Sequence, residues 1–280
     1  IHPIRNGGSD IQLALSKEVK ILTKTGEVDG VFGWIPIHNK SDEKVKDIKP
    51  ERGNIFIDIG ATSKEEVINM GVNIGDPIIY AVNVKFLNST NNIYGKSLDD
   101  KIGGYINAMV LKTLHEKNID LPFDLYVLNS VQEEVGAFGA KIAIGNIKPD
   151  VAIVFDVFFD STNPLFPDKK MLGTDAKLND GVIIMNSACV QKKLYELLIN
   201  TAIGSGIKYK TAHSTGYGGT NADRIFLEGG IATALLSIPL KYMHTTVEMV
   251  SMDDVESSIK LICDALKNIN GDHDFRPIKF

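Results

Sequence analysis

Two adjacent carboxylates, Glu133 and Glu134, sit in the segment Val131-Gln132-Glu133-Glu134-Val135-Gly136. Neighbouring side chains at a strand end point in different directions, so such a pair can divide its work. One carboxylate can hold a cation while the other faces a water. Three more positions have related character: Asp99 after Gly95-Lys96-Ser97-Leu98, Asp156 after an apolar run ending at Phe155, and His244 within Tyr242-Met243-His244-Thr245. Carboxylates and an imidazole at element ends form the donor set of a borderline cation such as zinc. One Asp can bridge two cations, and a bridged pair can share a hydroxide nucleophile and polarise a carbonyl. Each residue also has an ordinary reading. A Glu-Glu pair suits the positive end of a helix dipole, Asp99 can cap a helix, Asp156 can open a turn, and His244 can be a surface histidine. Their coincidence at element ends favours a site. His2, His38, His115, His213 and His273 fall in loops or on a polar helix face and are not read as ligands.

Positioning these groups requires alternating strands and helices. Leu125-Tyr126-Val127-Leu128 is apolar and β-prone, so residues 124–131 read as a strand whose end delivers Glu133 and Glu134. Ile102, Ile106, Val110 and Leu114 recur at helical spacing over about 100–116. Small residues from Ala137 to Ala143 read as a helix, Val151–Phe155 and Gly181–Met185 as strands, 190–204 as a helix, and Gly230–Ile238 as a strand. A last helix opens at Asp253-Asp254, acidic at its start as the dipole prefers. This alternation predicts an α/β fold, a sheet with helices on both faces, and open α/β sheets bind ligands beyond the carboxyl ends of their strands. Residues 1 to about 90 differ in texture. Val19–Thr23 and Val28–Ile35 flank the turn Thr25-Gly26-Glu27 as a hairpin, and further strands are expected at Asn54–Ile59 and Ile78–Val84, with a short helix at Lys64–Met70. Residues 39–53 read as a loop, and the polar run Asn88–Asn92 as a boundary. Two domains are expected, a β-rich 1–92 and an α/β 93–280.

The 280 residues are 44% apolar and 23% charged, an ordinary globular balance. A net charge of −5 without a basic block argues against nucleic acid as a partner. No apolar run is long enough to cross a bilayer, so no membrane partner is expected. Cys189 and Cys263 lie far apart in apolar surroundings and read as core thiols of a reducing, cytoplasmic compartment. The chain opens on isoleucine with no visible signal peptide, so residue 1 is not expected to be the native start.

Four ordered segments carry a resemblance. They are Ser97-Leu98-Asp99-Asp100-Lys101-Ile102-Gly103, Ser130–Gly136, Val154-Phe155-Asp156-Val157, and Ser237–Glu248 with its Tyr242-Met243-His244-Thr245-Thr246-Val247-Glu248. In this order they resemble the signature segments of the dinuclear aminopeptidases that include the tetrahedral and glutamyl aminopeptidases, metallopeptidase family forty-two. Phe56-Ile57-Asp58-Ile59-Gly60-Ala61 and Lys64-Glu65-Glu66 resemble that family's inserted β domain. The resemblance implies a zinc-exopeptidase-like mixed sheet and a metal-dependent aminopeptidase that removes the N-terminal residue of peptides with two ions, Zn²⁺ or Co²⁺, per subunit. It assigns Asp99 as the bridging ligand, Asp156 to the first metal, Glu134 and His244 to the second, and Glu133 as general base. It also implies short peptides as substrates and homo-oligomers, dimers that stack into twelve-subunit particles through the β domain.

Two departures stand out. The family's first metal also takes a histidine from a His-x-Asp motif upstream of the β domain, and this chain has no such motif. The expectation is that the first strands and that ligand lie upstream of residue 1. The second departure is Gly218-Gly219-Thr220-Asn221-Ala222, where the family usually has Asp after the Thr. Gly219, Thr220 and Asn221 are candidate substrate-binding residues, with the loops 160–175 and 211–222 as candidate pocket walls. Two alternatives follow: a metal-dependent deacylase or carboxypeptidase on a related fold, and a catalytically silent peptide-binding or assembly protein.

Overall fold

Period-two burial organises the first part of the chain. The computed structural model describes all residues except 5–7, 52, 166–172, 217, 229 and 276–280. β1 (Glu18–Thr23) and β2 (Gly26–Gly33) form the expected antiparallel hairpin, closed where Thr23 faces Gly26. β3 (Phe56–Asp58) pairs with β2. α1 (Lys64–Asn69) follows, its first turn capped by the Ser63 hydroxyl, which accepts from the Glu66 amide. β4 (Ile78–Tyr80) completes the order β3-β2-β1-β4. Val19, Phe32, Ile55 and Ile57 form the apolar core of this sheet. Compactness divides the chain into Ile1–Val84 with His244–Val247, and Lys85–Met243 with Glu248–Phe280.

The larger unit contains β5 (Lys85–Phe86), β6 (Asn92–Gly95), α2 (Leu98–Glu116), α3 (Phe138–Ile147), β7 (Val151–Phe159), β8 (Val182–Asn186), α4 (Lys192–Gly204), β9 (Tyr209–His213), α5 (Asn221–Leu227), β10 (Ala232–Leu240), β11 (Glu248–Ser251) and α6 (Met252–Asn268). Its main sheet has the order β7-β10-β8-β9. β7 and β10 are parallel, β10 and β8 antiparallel, β8 and β9 parallel, so the sheet is mixed. Alternate residues face opposite layers: Val182 and Ile184 join the core that includes α2, α4 and α6, while Ile183 and Met185 join the core that includes α3 and α5. Both faces are therefore covered, as the alternating elements require. All nine residues of β10 are buried, and each large aliphatic side chain there contributes about 1.5–3 kcal/mol relative to exposure. A second sheet, β11-β6-β5, lies beside α2 in sequence. Among the described residues, no helix is long and apolar enough to cross a membrane.

Three sequence expectations change. Residues 124–131 form no strand, and Tyr126 and Val131 are 63% and 67% exposed. A β-prone run becomes a strand only against a ladder partner, and none is present among the described residues. Asp156 does not end its strand, because β7 continues to Phe159. β4 ends at Tyr80, short of the expected Val84.

Candidate metal centre

The Glu133-Glu134 pair sits on a single 3-10 turn, Glu133–Val135, rather than at a strand end. Gln132, just before it, is left-handed with φ 63°, and Ala137 after it has φ 57°. Each costs a non-glycine residue about 1–2 kcal/mol, and such outliers concentrate at functional sites. The turn is held from the next helix: the Gly139 amide of α3 donates to the Val131 carbonyl at 3.1 Å. A Cβ at Gly139 would run into the Val131 backbone, so this approach requires glycine.

Asp99 lies at the start of α2 but outside helical geometry, with φ −81° and ψ 109°, and regular helix begins only after Asp100. The Asp99–Asp100 peptide is cis, and Ser97 before it is left-handed. The Asp99 amide donates to Glu248 Oε2 at 3.0 Å. His244, itself at φ 59°, lies in the short loop joining β10 to β11. Lys241 and Met249 close that loop through paired backbone hydrogen bonds of 2.9 and 3.1 Å. The His244 Nδ1 lies 2.8 Å from the Gly8 carbonyl, the kind of contact that orients a ligating imidazole. One ligand atom each from Asp99, Glu134 and His244 lies within 4.8 Å of the other two.

Asp156 faces the same charges. Burial pushes its carboxyl up to about 8, with the negative Asp99, Glu133 and Glu134 adding to the rise and the Val157 amide opposing it. Asp100 is pushed well above the usual carboxylate range, first by burial, then by Asp156, against the Gly103 amide, with Asp99 and Glu133 adding to it. Five carboxylates thus share a region where their charges repel at reduced dielectric. A set of Asp, Glu and His donors that destabilise one another when anionic fits divalent cations of intermediate hardness.

Gly219, Thr220 and Asn221 form the entry to α5. Thr220 caps the helix by accepting from the Ala222 amide at 3.1 Å. Gly219 has φ 77°, and the Gly218 and Gly219 amides donate to the buried Asp223 carboxylate at 3.2 and 2.7 Å. The Asn221 Oδ1 is buried without a hydrogen-bond partner among the described residues. α5 reaches the glutamate turn through Arg224, whose Nε donates to the Gly136 carbonyl at 3.2 Å. Lys141 of α3 and Glu228 pair at 2.9 Å. Residues 166–172 and 217, inside the candidate pocket walls, lie outside the described residues.

Reading the sequence assigned no role to Asp100, Asp223 or Glu248. Asp100 follows Asp99 directly and Glu248 stands four residues after His244, so proximity in sequence to these two was the available signal. Asp223 carried none, since one Asp inside a helix is usually solvated.

A mixed sheet covered on both faces, with this donor set gathered beside it, defines a zinc-exopeptidase-like α/β protein. Residues 4–261 match the model of the M42 glutamyl aminopeptidases, and the chain belongs to that family. It is 32% identical over 256 residues to the lysyl aminopeptidase of Pyrococcus furiosus, covering 91% of this chain and 71% of that protein. It is 26% identical over 253 residues to the glutamyl aminopeptidase of Lactococcus lactis, covering 89% and 68%. Among solved structures, a TET aminopeptidase from a marine sediment thaumarchaeon superposes with a TM-score of 0.85 at 29% identity, over 95% of this chain and 74% of that one. The TET1 peptidase of Pyrococcus horikoshii, which can assemble into a tetrahedron or a large octahedral shell, matches with a TM-score of 0.73 at 29% identity, over 92% and 74%.

Proposed function

We propose that this protein is a metal-dependent aminopeptidase that hydrolyses the N-terminal residue of short peptides with two divalent ions, Zn²⁺ or Co²⁺, per subunit. The observation that carries this reading is the convergence of Asp99, Glu134 and His244 in a chain of the M42 family. Asp99 would bridge the ions, Asp156 would join it on the first, and Glu134 and His244 would hold the second. When bound, the ions supply Lewis acidity to the scissile carbonyl and to the attacking water. Glu133, adjacent to a ligand but not itself in the three-atom cluster, is the general base. It takes the proton of the water as oxygen attacks the carbonyl carbon, then gives that proton to the amine as the C–N bond breaks.

Gly219, Thr220 and Asn221 would line the substrate. The buried, unpartnered Asn221 Oδ1 is an acceptor suited to a peptide's ammonium group. Residues 1–92 would be the β insert that mediates dimerisation within a homo-oligomer, dimers or twelve subunits, in the cytoplasm.

The test uses full-length protein stripped with a chelator and reloaded with Zn²⁺ or Co²⁺, assayed on a panel of short free-amine peptides. Turnover is expected to vanish and return. Glu133→Gln is expected to lower kcat by about 10²–10⁴-fold while the metal content stays at wild-type level. Turnover confined to N-acylated peptides would sink the aminopeptidase reading, and turnover indifferent to the chelator would sink the metal.

A further inference from the structure

Glu248 is 3% exposed, one of the few buried carboxylates in the larger unit. It opens β11 opposite Gly95 of β6, and its Oε2 accepts the Asp99 amide at 3.0 Å across 149 residues of sequence. Asp99 needs such an external anchor. Its φ and ψ are not helical, and the Ser97 side chain makes no capping bond to the helix. The first amides of a helix have no intrahelical partner, and Glu248 supplies one to the Asp99 amide. The same Glu248 stands four residues after His244, at the far side of a loop closed by the Lys241–Met249 pairing. A single carboxylate therefore ties the α2 entry that carries Asp99 to the start of β11.

We propose that Glu248 is a positioning residue for the metal centre, acting through its hydrogen bond to the Asp99 amide to hold Asp99 in its ligating orientation. This rests on the metal-centre reading above and deepens it. Partners that orient metal ligands typically change metal affinity by about 10–100-fold when removed. The charge is not what the proposal uses. A glutamine can present its Oε1 to the same amide, whereas alanine cannot.

The experiment measures Zn²⁺ affinity and stoichiometry by chelator competition in full-length wild type, Glu248→Gln and Glu248→Ala, and the visible absorption of the Co²⁺-loaded forms. Asp254→Asn serves as a control, since Asp254 is a comparably buried carboxylate that accepts the Asn179 and Gly181 amides, neither of them from a candidate ligand. Glu248→Ala is expected to weaken binding by about 10-fold or more and to change the cobalt spectrum. Glu248→Gln should recover most of the affinity and the wild-type spectrum. Asp254→Asn should change stability alone. Wild-type affinity in Glu248→Ala, or a Gln variant as weak as the Ala variant, overturns the proposal while leaving the metal centre standing. Failure of the wild type to bind any ion overturns both.

Discussion

Asp254 shows how a single buried carboxylate writes itself into the pH dependence of stability. Burial pushes its carboxyl up to about 6, against the lowering effect of the Asn179 and Gly181 amides and of Lys208, with Asp180 adding to the rise. A raised folded value means that the folded chain holds the proton more tightly than the unfolded chain. The contribution is therefore complete below about pH 4 and is lost as pH rises through about 6, roughly 3 kcal/mol in all. Asp264 acts the other way. Burial acts to raise it, but hydrogen bonds from Lys267, Lys260 and Ser205 together hold it down to about 2, so its contribution disappears only as pH falls from about 4 to 2. Urea unfolding of wild type and Asp254→Asn at pH 4, 5, 6 and 7 separates the two. The variant should gain on wild type by up to roughly 3 kcal/mol over that range, and a constant difference would rule the account out. The role of Asp254 was not legible in the sequence beyond the dipole preference at the start of α6, because the amides that bind it come from 73 and 75 residues away.

Elements explain why the segment before the two glutamates is expected as a strand and forms none. Helical spacing in α2 and α6 and the apolar runs of β7, β8 and β10 are strong local patterns, and those elements formed where expected. Leu125–Leu128 carries the same β preference, yet pairing is a property of two strands, and one run cannot report whether its partner exists. β5 and β6 escaped notice for a related reason, since two- and four-residue strands are too short to show a period. What holds the glutamate turn instead is close backbone contact between Gly139 of α3 and Val131. Gly139→Ala tests that support. A methyl group there must displace either α3 or the segment before Glu133, at a cost of about 1–3 kcal/mol. Circular dichroism should keep its helical content, while kcat on a cleaved peptide falls at least tenfold. A variant with wild-type kcat would show that the turn is set elsewhere, for instance by Arg224 on Gly136.

At the scale of the whole molecule, the candidate centre couples ligand binding to global stability. Burial and the negative Asp99 and Glu133 together raise Asp100 and Asp156, with Glu134 adding to the rise of Asp156, across elements far apart in sequence, from α2, β7 and the turn before α3. Folding gathers these charges and cations would offset them, so ion binding should favour the folded state by mass action, by about 2.7 kcal/mol at a free ion concentration one hundred times Kd. Thermal unfolding with and without chelator should show a metal-dependent rise in Tm for wild type. Binding and catalysis then separate by residue. Glu133→Gln should keep the whole rise, because the proposed base holds no ion, whereas Asp99→Asn should lose most of it, because the neutral amide is a poor bridge between cations. A rise lost equally in both variants would place Glu133 among the ligands and return the role of base to another group. A rise kept in both would move the ions away from Asp99 altogether, and with them the division of labour read from the family's segments.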